Sequence, residues 1–140
     1  MKASRLFTAW LLSTAAVTVL GSGGYHLYRS AVPHKVLIVV DASYPMQEAW
    51  PEVAQSIASV AARRRGTYAV ATDKGLVHGF RAVPDLGRTI AYGPRDLDGL
   101  SQRLPQEVRD ADEIVLITNA NAAEAGRSGI REIVPVGDGR

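Results

Sequence analysis

The chain has 140 residues, no Cys, and 16 Lys and Arg against 14 Asp and Glu, a net charge of +2. The absence of Cys excludes a disulfide framework, a thiolate metal centre, a Cys nucleophile and a lipidated cysteine. The basic excess is confined to the first 30 residues, which hold Lys2, Arg5 and Arg29 and no acid. The remainder carries 13 bases against 14 acids, so the global charge is no argument for a nucleic-acid ligand.

From Leu6 to Tyr28 there is no charged residue. As a helix this stretch extends about 34 Å, against about 30 Å for a bilayer core. Trp10 stands near one end and Tyr25 and Tyr28 near the other, where interfacial aromatics are placed, and Arg29 and Lys35 close the segment. The pattern predicts an uncleaved signal-anchor over residues 1–30, a transmembrane helix that meets the lipid bilayer through residues 6–28. A cleaved signal is the main alternative. It would use Gly21-Ser22-Gly23-Gly24, but no A-x-A pattern is present and the apolar run resumes after the glycines. A buried helix of a globular domain is disfavoured by that same Gly cluster and by the lack of a polar face. The flanking charges place the N-terminus inside and residues 31–140 outside the cytoplasm. Thirteen Arg among the 16 bases, with many Ala, indicate a GC-rich bacterial source. The expected location is therefore a bacterial inner (cytoplasmic) membrane, crossed once, with an extracytoplasmic domain that is periplasmic if the cell is Gram-negative.

Residues 31–35 form a linker, and 36–140 suffice for one small domain. VLIVV, residues 36–40, is an apolar, mostly β-branched run that reads as a strand buried on both faces. Val53, Ile57, Val60 and Ala61 make a helical stripe. Pro51 suits its first turn, Arg63-Arg64-Arg65 suit its C-terminal dipole, and Gly66 is placed to cap it. Residues 67–80 read as a hairpin around Asp73-Lys74-Gly75, and 84–94, with two Pro and two Gly, as loop. Leu97, Leu100 and Leu104 mark a second helix that Pro105 must end or restart. IVLIT, residues 114–118, is a second buried strand; an Ala-rich turn at 122–126 leads to a last strand over 130–136. The order predicts an α/β fold, a minimal doubly wound, mostly parallel sheet. Ligands of such sheets bind beyond the carboxyl ends of the strands, at the topological switch. Asp41-Ala42-Ser43 and Thr118-Asn119 both fall there.

Asp41-Ala42-Ser43-Tyr44-Pro45-Met46 directly after VLIVV resembles the metal-site motif of von Willebrand factor A (vWA) domains, D-x-S-x-S, often followed by Met. Thr118-Asn119-Ala120 stands where that family has T-D-G, and IVPVGDGR is similar to its last strand. The resemblance covers residues 35–140. The sequence departs from the pattern at Pro45, which replaces the second Ser, and at Asn119, which replaces a carboxylate. The intervening family Thr has only Thr89 as a loose counterpart. The resemblance implies a doubly wound fold with a degenerate metal-ion-dependent adhesion site and a protein-binding surface around its loops. It implies Mg²⁺ at Asp41 and Ser43, for hard cations take oxygen ligands. With one carboxylate in place of two, the competing reading is an Asp–Ser turn bonded to backbone amides. No other resident cofactor is expected.

No complete catalytic set is visible. His26, His34 and His78 lack metal-ligand spacing, no G-x-S-x-G elbow occurs, and no Gly-rich phosphate loop follows a strand. A small Mg²⁺-dependent phosphotransferase or hydrolase using Asp41 stays as the enzyme alternative, and a structural accessory subunit as the third. Few aromatics interleave with bases, so no nucleic-acid platform is expected. Trp50 fits the core stripe with Val53 and Ile57, whereas Tyr44 beside Pro45 is the better exposed contact. The sequence thus reads as a membrane-anchored vWA-like interaction module serving assembly, scaffolding or maturation of a bacterial membrane or envelope complex. Asp41, Ser43, Tyr44, Thr118 and Asn119 are the candidate contact residues.

Overall fold

The computed structural model describes residues 2–31 and 33–137. It divides into two units, 1–33 and 34–140. The first is a single helix, α1 (Lys2–Ala31), whose side chains are described from Trp10 to Tyr25. The expectations resting on Lys2, Arg5, His26, Tyr28 and Arg29 as side chains lie outside that range, as do the last residues of the PVGDGR ending. Within it Trp10, Leu12, Val17, Val19 and Leu20 are all exposed. Thr14 and Thr18 donate their hydroxyls to the carbonyls of Trp10 and Thr14, each at 2.9 Å. Among the described residues no helix is long and apolar enough to cross a membrane. Thr14, Thr18, Ser22 and the glycines at 21, 23 and 24 interrupt the apolar run, and the predicted span extends beyond the residues whose side chains are described.

The second unit is built on a five-stranded sheet in the order β3-β2-β1-β4-β5. Its strands are β1 (Lys35–Val40), β2 (Thr67–Thr72), β3 (Gly75–Arg81), β4 (Glu113–Thr118) and β5 (Glu132–Pro135). β1 pairs in parallel with β2 and β4, β4 in parallel with β5, and only the edge strand β3 runs antiparallel. The predicted α/β, mostly parallel sheet is therefore present. α2 (Trp50–Arg63) packs on one face. The short helices α3 (Leu100–Arg103) and α4 (Gln106–Arg109), separated at Pro105 as expected, cover the other. α5 (Ala122–Gly126) precedes β5.

Period-two alternation within continuous apolar strands explains the two faces. Val36, Ile38, Val40, Val70, Val115 and Ile117 join Val53, Ile57 and Val60 of α2 in one core, against which Trp50 packs half-buried. Leu37, Val39, Ala69, Ala71 and Leu116 meet Leu97, Leu100, Leu104 and Val108 in the other. All five residues of VLIVV are fully buried. The chain winds β1–α2–β2 to one side, then crosses the opposite face to place β4 on the other side of β1. The carboxyl ends of β1 and β4 thus flank the switch.

Gly66 does not cap α2. Arg64 takes the C-cap in extended conformation, and the Tyr68 hydroxyl closes the helix end against the carbonyls of Ala61, at 2.9 Å, and Arg64. Gly66 is needed because a Cβ there would lie 1.9 Å from the His34 carbonyl oxygen, which accepts from the Thr67 amide at 2.8 Å. Gly66→Ala forces the chain before β1 away from β2. We expect a loss of about 1–3 kcal/mol in urea unfolding, the range for overpacking; an unchanged midpoint would contradict the close approach.

At the amino end of β1 and β4, the expected pairing of Arg64 with the helix dipole gives way to carboxylates. Arg64 Nε donates to Glu113 at 2.7 Å, and Nη2 pairs with Glu132. Partial burial works to lower the Arg64 pKa, but hydrogen bonds to Glu132 and Glu113 outweigh it and leave it raised. For Glu113, burial works upward. Hydrogen bonding with Glu132, Arg64 and His34 and the Arg64 charge prevail, holding its carboxyl below its ordinary value. A carboxylate depressed on folding stabilises the fold above its unfolded pKa, about 4.3, and loses that contribution as pH falls through the folded value. Thermal unfolding followed from neutral pH into acid should show this decline below about pH 4.5. It should be shallower in Glu113→Gln.

Candidate functional site

β1 ends by delivering Asp41 into the interior, where its residue is fully buried. Its amide donates to the Ile117 carbonyl at 2.9 Å, which extends the β1–β4 ladder to the switch. Asp41 Oδ1 accepts from the Ser43 amide at 3.1 Å, an Asx turn of the kind predicted. Oδ2 accepts from the Thr118 hydroxyl at 2.7 Å and from Arg95 Nε at 2.8 Å. Thr118 Oγ1 in turn accepts from the Ala120 amide at 3.0 Å. The two segments separated by 77 positions are thus joined by one carboxylate.

Asn119 joins the same cluster. Its amide nitrogen donates to the Pro45 carbonyl at 2.7 Å, its backbone N–H meets Met46 Sδ at 3.2 Å, and its Oδ1 accepts from Arg95 Nη2. Pro45 lies within the 3₁₀ turn Tyr44–Met46, so the residue that departs from the family pattern contributes its carbonyl in place of a hydroxyl. Asp73, buried at the end of β2, accepts from the Ala42 amide at 3.0 Å and lies 2.8 Å from Lys74 Nζ. Ser43 Oγ is buried and, among the described residues, has no hydrogen-bond partner.

Arg95 is the residue that sequence reasoning missed. Three of its nitrogens reach three acceptors: Nε to Asp41, Nη2 to Asn119, and Nη1 to Glu124 on α5 at 3.1 Å. The Asn121 side chain accepts from the Glu124 amide at 2.9 Å, capping α5 and fixing where Glu124 stands. Arg95 is carried in by the loop after β3. The Tyr92 amide donates to the Ala42 carbonyl at 2.6 Å and the Tyr44 amide to the Gly93 carbonyl at 2.9 Å, stitching that loop to the Asp41 turn. Gly93, with φ +78°, then turns the chain so that Arg95 lies over the carboxylate. A hollow of about 170 Å³ lined by Arg95, Asp96, Asp98, Glu124 and Arg127 opens above it. The local sequence signal was slight: a Gly-Pro turn before one of 13 Arg.

The structure brings together four of the five predicted site residues. Asp41, Thr118 and Asn119 interlock, and Ser43 closes the turn. Tyr44 stands outside that cluster with its ring in solvent, 59% exposed. The same stitched loop exposes Ile90 and Tyr92, at 65% and 49%. Thr89 is not part of the cluster; it lines a separate hollow of about 480 Å³ with Leu76, Arg88, Ile90 and Tyr92. His78 is structural: its Nε2 accepts from the Asp85 amide at 3.0 Å, which leaves Nδ1 to donate to the Gly79 carbonyl.

The donor set can be tested against the Mg²⁺ that the resemblance implies. Six oxygens are wanted, and among the described residues the buried side-chain oxygens without a hydrogen-bond partner are Ser43 Oγ and Asp73 Oδ2, the latter held by Lys74 Nζ. Among the described residues no group of three or more His, Cys, Asp or Glu is placed to hold a metal ion. A divalent ion on Asp41 Oδ2 would lie within about 4 Å of the Arg95 charge, a repulsion of about 8 kcal/mol at an effective dielectric near 20. With Arg95 seated, the residues do not fit the ion. Compared with known proteins, the chain matches no family model, no curated protein and no solved structure.

Proposed function

We propose that the chain is a membrane-anchored, vWA-like interaction module that binds a protein partner and catalyses no reaction, serving assembly or maturation of a membrane complex. The observation that carries this reading is the exposure of Tyr44, Ile90 and Tyr92, the two tyrosines held beside the Asp41 turn by backbone hydrogen bonds. Exposed aromatics on a braced loop are the kind of anchor that protein interfaces bury. The position of Asp41 and Thr118 at the ends of adjacent parallel strands supports the vWA resemblance. A nucleophilic role for Asp41 is disfavoured by its full burial and by the engagement of both its oxygens.

The anchor reading rests on α1. Apolar side chains are exposed along it, and its threonine hydroxyls are bonded back to the helix, which suits a lipid setting. In this reading the bilayer takes residues 6–28 and the second unit stands in the periplasm of a bacterial cell.

Affinity isolation of the full chain from native membranes tests the interface. Tyr44→Ala combined with Tyr92→Ala should leave the thermal unfolding midpoint in place and reduce partner recovery about 10-fold or more, the scale of hot-spot loss. Equal recovery removes the assignment of this rim. In the same cells, loss of residues 1–31 should move the protein from the membrane to the soluble fraction.

A further inference from the structure

We propose that the Arg95 guanidinium is the resident cation of the crevice, standing where a divalent ion would otherwise sit. The site then needs no metal and accepts one only when Arg95 is removed. The inference stands on the geometry alone and does not depend on the partner. Acceptors from three segments converge on one side chain: Asp41 after β1, Asn119 after β4 and Glu124 on α5. Arg95 satisfies a different acceptor with each nitrogen and is only 18% exposed. Its entry is built into the backbone by the Ala42–Tyr92 and Tyr44–Gly93 hydrogen bonds and the positive φ of Gly93.

Taking the guanidinium away leaves an oxygen-only set: two carboxylates, the Asn119 amide oxygen, and the hydroxyls of Thr118 and Ser43. Ser43 Oγ is already buried without a partner. Hard divalent cations take such sets. The native chain therefore excludes them by occupancy and charge.

The test uses the full chain purified in detergent, with Mn²⁺ as the probe, read by electron paramagnetic resonance and by thermal unfolding. The native protein should show the same midpoint in chelator and in excess Mg²⁺ or Mn²⁺, and no Mn²⁺ bound at Asp41. Arg95→Ala should unfold several degrees lower in chelator, regain part of that loss with Mn²⁺, and bind one Mn²⁺ that a further Asp41→Asn abolishes. Should Arg95→Ala not fold, Arg95→Gln, which is neutral, shorter than arginine and able to offer an amide oxygen to the ion, carries the same expectations. The proposal is overturned by native protein that binds Mn²⁺ in an Asp41-dependent way. It is equally overturned by a folded Arg95 variant that binds none, or by one as stable in chelator as the native chain.

Discussion

Arg95→Ala is expected to destabilise the second unit by about 3–5 kcal/mol, because it leaves a buried carboxylate without its charge partner. Asp41 is fully buried, and its oxygens can turn to no solvent when the guanidinium goes. The same change strips an ionic partner from Glu124, but that carboxylate is 37% exposed and water compensates it. The penalty is thus concentrated on Asp41. It follows that Asp41→Asn together with Arg95→Gln should be less destabilised than Arg95→Ala alone. The neutral pair keeps hydrogen bonds among Thr118, residue 41 and residue 95 while removing the uncompensated charge. Urea unfolding of the single and double variants measures this coupling. A double variant that loses the sum of the two single losses would show that Asp41 and Arg95 act independently.

Met46→Ala should follow closely, with a loss of about 2–5 kcal/mol, the range for truncating a fully buried side chain. Met46 is 0% exposed and belongs to the α2 face of the core, yet its sulfur also meets the Asn119 amide across the switch. Its truncation therefore leaves a cavity and frees the loop after β4 at once. Met46→Leu separates these effects. It conserves volume and should lose under about 1.5 kcal/mol, while the Asn119 amide, deprived of its acceptor, exchanges its hydrogen faster than in the native chain. Hydrogen exchange at Asn119 that is equal in all three proteins would reduce Met46 to a packing residue.

Much of this molecule is legible in local pattern. VLIVV and IVLIT are continuous apolar runs, and only a strand covered on both faces makes use of them. Val53, Ile57 and Val60 recur at helical spacing and meet one face of the sheet. Pro105 divides the second helical segment because its ring prevents the turn from continuing. Asp41 and Thr118 were placed in one crevice by topology, since each directly follows a buried parallel strand. Gly66 shows where local reading misleads. A glycine after an Arg-rich helix end has the pattern of a cap, but its reason is the approach of His34 from another part of the chain.

The sequence by itself determined the class of fold, the two apolar faces of its sheet and the polar ends that meet at the switch. These follow from period and from the order of strands, both carried by neighbouring residues. Only the tertiary structure decided what fills that switch. Arg95 lies 54 positions from Asp41 in a loop without periodicity, and locally only a preceding Gly-Pro turn distinguishes it from the other arginines. Its place is set by two backbone hydrogen bonds and one left-handed glycine acting over that distance. Ion pairing in a buried site depends on which charges the fold brings within a few ångströms, and that is a property of packing. A cluster that reads in sequence as a weakened metal site is, in the folded chain, a carboxylate held by its own arginine.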